Sequence, residues 1–477
     1  MRSPIIVCGL FVVALLTPGT VSAQPPNITG ILRENAAQAY RFAQAGDTAN
    51  YRLSITRIRT YVRSVYPAKN ADRGWKEMAS DQLAIGDRDG AKETALLIRD
   101  PRLRASAFTE IGRSGKDRDA FANALKASLL CAQAEEVART LQDLVREQVG
   151  AGHTEDALLS LRAGAQRLRK PATGQTEEHR RSALRRIADE QTRQKDFAGA
   201  IATARLAGDA EQLALTAVAR FREGDASGCQ ATFQEAIRVA KTAAGDRKAY
   251  FLERITYSLL DIGAVESARG VALTVPFGPP PIAGHHREKA LRSVVFALAD
   301  SGDIANAKAI AGQHRQRDWY VYSWIRISEN ERTRGNAQAA RQTLASVGQR
   351  MLQYFPNETG QERGLHYTSD KVNGLIRIAF LQHLRQDETE CLRTLALARR
   401  VADAEREYHP KNSALKEIIG MQAMCGYVRE ATAAAQPLPA PFREQAMAQV
   451  RKASENRRHY ASGLNSQCLD PRLVPRL

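Results

Sequence analysis

The chain has 477 residues, 43% of them hydrophobic, enough for a sizeable core spread over two to four ordinary domains or one long solenoid. Its formal net charge is +17, carried mostly by arginine, so the surface attracts anions; envelope polysaccharide, lipid head groups and acidic proteins are the candidates, against the alternative of a merely solvated arginine-rich surface. Alternating β-branched and aromatic runs between turn signals are missing, which excludes appreciable sheet, and no later segment approaches the run of about 18 apolar residues that a membrane-spanning helix needs.

Arg2, the apolar run from Ile5 to Leu16 and the small residues Val21, Ser22 and Ala23 read as a secretory signal peptide over 1–23, cleaved before Gln24. Export to the periplasm or the cell exterior is the corresponding expectation. Residues 24–70 read as an irregular N-terminal capping unit, with a Gly46-Asp47 turn but Tyr51 where later units carry a small residue. Five cysteines remain after cleavage: Cys131, Cys229, Cys391, Cys425 and Cys468. They form no C-x-x-C, so neither a zinc site nor a redox motif is indicated; a disulfide framework is not expected, and a single bridge stays open.

From residue 71 a short turn signal recurs. Taking Gly86, Gly115, Gly152, Lys195, Gly224, Gly263, Gly302, Gly335, Gln386 and Gly426 as anchors gives spacings of 29 to 43 residues and one of 51. Eleven residues before the anchors stand Trp75, Arg104, Leu141, Leu184, Leu213, Leu252, Leu291, Trp324, Leu375 and Leu415, nine of the ten large and apolar. Eight before stand Met78, Ala107, Leu144, Ile187, Thr216, Ile255, Val294, Ile327, Ile378 and Ile418. Five after, every residue is Ala or Cys, from Ala91 to Ala431, and nine after every residue is Ala, Leu or Phe. Residues three apart share one helical stripe, a tight turn wants Gly for its positive φ, Asp or Asn caps the following helix, and a small residue early in that helix lets two backbones approach. The pattern therefore predicts helix pairs that must stack to bury their stripes. Cys229 and Cys391 stand where every other unit has Ala, which reads them as packing residues.

A bulky residue early in the first helix, a Gly-Asp-type turn and a small residue five positions on resemble the tetratricopeptide repeat over roughly residues 70 to 440. The chain departs from that family at its first-helix Gly, replaced by Ala79, Val145 and Val295 among others, and at its paired Tyr, replaced by Gln82, Leu298 and Gln422. A HEAT-like repeat is the competing label. The resemblance implies an all-α solenoid of antiparallel helix pairs.

The array reads as two sub-arrays, 71–275 and 287–460, separated by a Pro-rich connector over 276–286, where Pro276, Pro279, Pro280 and Pro281 forbid helix. An insertion over 354–370 accounts for the longest spacing, and 461–477 reads as a disordered tail. In the family, the first helix of each pair lines the concave face. That implies a basic, aromatic-dotted groove of Arg185, Arg193, Phe221, Tyr250, Tyr257, Arg292, Phe296, Tyr322, Arg332, Phe380 and His383. Trp324 is core by register, whereas Trp319, Tyr320 and Tyr322 are expected to be partly exposed.

Catalytic signals are weak. His285 and His286 point apart on extended chain and lack a partner at helical spacing, so no metal is expected there. Glu177, Glu178, Asp117 and Asp119 read as solvated carboxylates. No G-x-S-x-G, H-E-x-x-H or P-loop pattern occurs. The basic run Arg162–Lys195 has only Phe197 nearby as a stacking ring, so nucleic acid is not expected. Asn27 and Asn357 lie in glycosylation sequons. The sequence thus reads as a non-catalytic, cofactor-free exported scaffold for a protein or peptide. The alternative is an all-helical enzyme or binding protein for an anionic envelope polysaccharide, using His286, Arg292, Tyr322 and Arg332; an anionic polymer or membrane surface remains a further candidate partner.

Overall fold

The computed structural model describes residues 37–65, 68–170, 176–277, 283–315, 317–354, 367–405 and 408–455. The expected signal peptide, the tail over 461–477, both sequons, Cys468 and most of the insertion over 354–370 lie outside them. Among the described residues all regular structure is α-helical.

The ten anchors mark ten helix pairs. In chain order these are Ala68–Ala84 with Arg88–Ala95, Pro101–Gly115 with Arg118–Leu129, Ala134–Gly150 with Thr154–Arg167, Glu177–Arg193 with Phe197–Ala207, Ala210–Arg222 with Ala226–Thr242, Asp246–Asp261 with Val265–Thr274, Ala283–Ser301 with Ile304–Ala311, Arg317–Thr333 with Ala337–Tyr354, Tyr367–Leu384 with Glu388–Asp403, and Tyr408–Met424 with Val428–Ala435. Thr48–Val65 precedes them and Ala440–Glu455 follows.

One turn geometry joins every pair. The first or second residue after each leading helix takes φ between +51° and +95°. The next residue donates its N–H to the carbonyl five positions back, as from Asp87 to Gln82 at 2.9 Å, Asp225 to Arg220 at 3.0 Å and Tyr427 to Gln422 at 2.9 Å. This is a Schellman C-cap. The same residue often begins the trailing helix as its N-cap: Asp87, Asp225 and Asp303 accept from the N–H groups of Gly90, Gly228 and Asn306. A reversal this short makes the two helices antiparallel.

The apolar stripes close against each other as the spacing requires. Leu141, Leu184, Leu213, Leu252, Leu291 and Leu375 are fully buried, and so are Ala91, Ala157, Ala200, Ala268, Ala307 and Ala431 five residues after the turn. Cys229 and Cys391 fill that small slot at 3% and 0% exposure, as packing residues would. Polar links also cross the pairs: Thr94 donates to Gln82 at 2.6 Å, Arg220 to Thr232 at 3.2 Å and Thr394 to Gln382 at 2.8 Å.

The second pair corrects the sequence register by one residue. Its left-handed residue is Lys116, φ +51°, not Gly115, and Asp117 donates to Gly112. The stripe is then Ala105 and Phe108, both buried, which removes Arg104 as an exception. Phe121, not Ala120, takes the small-residue slot. Gly112 makes the room, because a Cβ there would stand 2.5 Å from the Phe121 ring. Volume has been exchanged across the helix interface. Asp117, expected to be solvated, caps this helix through Ala120 and pairs with Lys92.

Contacts divide the chain into two compact units, one up to Thr203 and one from Ala204, a division that falls within the helix Phe197–Ala207. Within each unit, leading helices such as Pro101–Gly115 and Asp246–Asp261 pack on their own trailing helix and on the next leading helix. The Pro-rich connector lies inside the second unit. Helix resumes at Ala283, so His285 and His286 sit in its first turn rather than on extended chain. At the N-terminus, Tyr51 is buried and donates to the capping carboxylate of Asp87 at 2.7 Å.

Two outcomes are expected. Gly112→Ala should destabilise the chain by about 1–3 kcal/mol in chemical denaturation, and combining it with Phe121→Ala should cost less than the sum of the two single changes. Gln386→Gly should raise stability by about 1 kcal/mol, because Gln386 holds φ +61° at a cost glycine does not bear.

Candidate binding face

The expected groove residues fall 13, 10, 6 and 3 positions before the left-handed residue of their turns, apart from Arg193 at two. These positions form one helical stripe, rotated away from the buried one. In the second unit this stripe carries a ladder of contacts from one leading helix to the next.

The ladder starts at Glu211, which accepts from Tyr250 Oη at 2.8 Å and from Arg254 Nε at 2.7 Å. Glu253 comes next, accepting from Tyr257 Oη at 2.7 Å and pairing with His286 Nδ1. Burial, and after it the Glu253 carboxylate, raise the Tyr257 phenol above its ordinary value, so it stays a donor. His286 also meets the Tyr250 ring edge-on at 5.8 Å.

Arg292 bridges to the eighth pair by its face. Its guanidinium stands 4.4 Å from the Trp319 ring centre and 5.7 Å from that of Phe296. His285 closes on Trp319 at 5.5 Å, and burial, helped by Lys289, pushes its imidazole below the usual range. The Arg292 Nε is buried without a hydrogen-bond partner among the described residues. Below it, Arg326 clasps Asp300 with bonds of 2.9 and 2.7 Å and lies over Phe296.

Tyr322 accepts from Arg377 at 2.6 Å, with that guanidinium 4.9 Å from its ring centre. Arg385 donates to Ser328 and to Glu329, each at 2.7 Å, and Arg332 pairs with the same Glu329. Burial opposes ionisation of Glu329, but the hydrogen bond from Arg332 and the charges of Arg385 and Arg332 outweigh it and lower its pKa.

The contacts link Tyr250 to Tyr257 through His286 and Glu253, and Arg292 to Phe296 and Trp319, whereas Tyr322 meets Arg377 and Arg332 meets Glu329 separately. Phe380 does not join them: it is 6% exposed and belongs to the core. Phe221 is exposed but lines a separate cavity of about 490 Å³ with Phe233, Ile237 and Val271 of trailing helices. Tyr320 is also buried, contrary to expectation, whereas Trp324 is core as its register implied. Arg185 and Arg193 belong to the first unit, where Arg193 pairs with Asp189 and Glu190. The basic run around them is neutralised locally: Arg162 meets Asp196, Arg180 and Arg181 meet Glu177, and Arg186 meets Glu135.

Four residues would have to converge for the polymer-directed chemistry, and each engages a different neighbour: His286 with Glu253, Arg292 with Trp319, Tyr322 with Arg377, Arg332 with Glu329. A carboxylate–imidazole–hydroxyl chain does exist that sequence reading missed. Glu288 pairs with His314 Nδ1, and His314 Nε2 lies 2.8 Å from Ser323 Oγ. All three are enclosed, at 0%, 3% and 0% exposure, and Glu288 also accepts from the Arg315 N–H. With no path to solvent, the chain clamps the seventh pair to the eighth. No group of His, Cys, Asp and Glu that could hold a metal occurs among the described residues.

No family model matches the chain, and no curated protein matches it. Among solved structures, similar chains include a circular tandem repeat protein with novel repeat topology (14% identical, covering 92% of this chain and 98% of that one, TM-score 0.20). Ton1535 from Thermococcus onnurineus NA1 is 13% identical, covering 87% and 99%, with a TM-score of 0.23. The TPR domain of P58(IPK) is 14% identical, covering 92% and 99%, with a TM-score of 0.20. The all-α architecture of paired helices stands on the pairing and turn geometry above.

Glu329→Gln should cost about 1–3 kcal/mol, because it leaves the Arg385 guanidinium, 11% exposed, without its carboxylate. Since the folded pKa of Glu329 is depressed, its stabilisation is complete above the ordinary carboxylate range and is lost as pH falls through the lowered value. Melting curves of the variant should lack that part of the acid-dependent loss.

Proposed function

We propose that the chain is an exported, non-catalytic scaffold that holds an extended peptide or protein segment on the leading-helix face of its second unit. Arg292 is the observation that carries this reading. Its guanidinium lies against two aromatic rings, and no carboxylate is found to neutralise it among the described residues. An aromatic-backed arginine can donate to a carboxylate or carbonyl of a bound chain, while Tyr257, Phe296 and Trp319 take apolar side chains beside it. The contacts between consecutive leading helices support the same reading, since they fix these side chains before a ligand arrives and so lower the entropy lost on binding. Export rests on the sequence features of residues 1–23.

The test is affinity capture from the native cell envelope using the chain from Gln24 onward. Recovery of a stoichiometric protein is expected. The pair Tyr257→Ala with Arg292→Ala should weaken that capture at least about tenfold while helicity by circular dichroism is unchanged. Undiminished capture by the double variant, or recovery of anionic polymer alone, would overturn the proposal.

A further inference from the structure

Cys391 stands in the first turn of the trailing helix of the ninth pair, in the slot that is Ala in seven of the ten units. Cys425 stands just before the left-handed Gly426 of the tenth. Their helices, Glu388–Asp403 and Tyr408–Met424, pack on each other, and the two sulfurs lie 3.7 Å apart. Both residues are buried, at 0% and 4% exposure. An Ala methyl group fills this slot in seven units, so packing alone does not call for sulfur. Cys131 and Cys229 are likewise buried thiols, but they face no second sulfur among the described residues. A disulfide needs sulfurs about 2.05 Å apart, a closure that small side-chain rotations across one helix interface can supply.

We propose that Cys391 and Cys425 form a disulfide that fastens the tenth helix pair to the ninth when the chain meets a disulfide oxidant such as oxidised glutathione or an oxidoreductase disulfide. The thiolate of one cysteine attacks the oxidant's S–S bond, forming a mixed disulfide and releasing one oxidant thiolate. The thiolate of the other then attacks the protein sulfur of that mixed bond, closing Cys391–Cys425 and releasing the second. Two protein thiols and one oxidant disulfide become one protein disulfide and two oxidant thiols, with the two protons passing to the released thiolates. Because both sulfurs are enclosed, the exchange belongs to folding or to local opening of the last pairs. The bond would fasten the trailing helix of the ninth pair to the tenth, across an interface the two already share. This inference is independent of what the binding face holds.

The full chain is refolded in a reduced and oxidised glutathione mixture, quenched with acid, denatured, alkylated and digested for mass spectrometry. The expected product is a peptide containing Cys391 joined to one containing Cys425, with Cys131 and Cys229 alkylated. The thermal midpoint should rise by several degrees under oxidising relative to reducing conditions. Cys391→Ala, which installs the residue of seven other units, should fold with unchanged helicity and lose that redox dependence. Alkylation of both thiols in the wild type, linkage of either to a different cysteine, or a redox shift that persists in Cys391→Ala would overturn the proposal.

Discussion

The left-handed residue at the end of each leading helix is the constraint on which the rest of the structure depends. It stops one helix, satisfies two of that helix's last carbonyls and places the following residue to cap the next, all within one turn. Because the turn is the same each time, every leading stripe meets its trailing partner in the same rotation. A large residue eleven positions before the turn and a small one five after it are consequences of that fixed rotation. Where the small slot is taken by Phe121, Gly112 on the facing helix yields the space. The backbone geometry is thus kept, and the side chains adjust around it.

Fixing the buried stripe also fixes what remains outside. Residues on the neighbouring stripe of the leading helices cannot reach the core of their own pair, so they meet their counterparts on the next leading helix. In the second unit these lateral contacts are charged and aromatic. Glu211, Glu253, Asp300 and Glu329 each join tyrosine, histidine or arginine side chains of neighbouring turns or helices. Such pairs, half in water, contribute modestly to stability, but they hold side chains in one orientation. Arg292 differs: among the described residues it is held against rings rather than paired with a carboxylate.

Helical spacing made much of this face legible, because period and offset are local properties of the chain. It placed Tyr250, Tyr257, Arg292, Phe296 and Tyr322 on one stripe, along which Tyr250 and Tyr257 meet through Glu253 and His286 and Arg292 lies over Phe296. Two positions on that stripe depart from it. Phe380 occupies the same offset as Tyr257 and Phe296 yet is buried, and Phe221 turns toward trailing helices instead. The Glu288, His314 and Ser323 clamp left no signal, since its members come from three separate segments with no fixed spacing.

The sequence alone determined the helical class, the ten pairs and the identity of most core positions, because turn chemistry and helical periodicity are written in consecutive residues. Tertiary structure decided the one-residue shift at Lys116, since choosing between Ala120 and Phe121 depends on whether Gly112 faces that slot. It decided the burial of Phe380, and it brought Cys391 to Cys425 across 34 residues. These features depend on which atoms of distant residues compete for the same volume, and spacing along the chain carries no record of that.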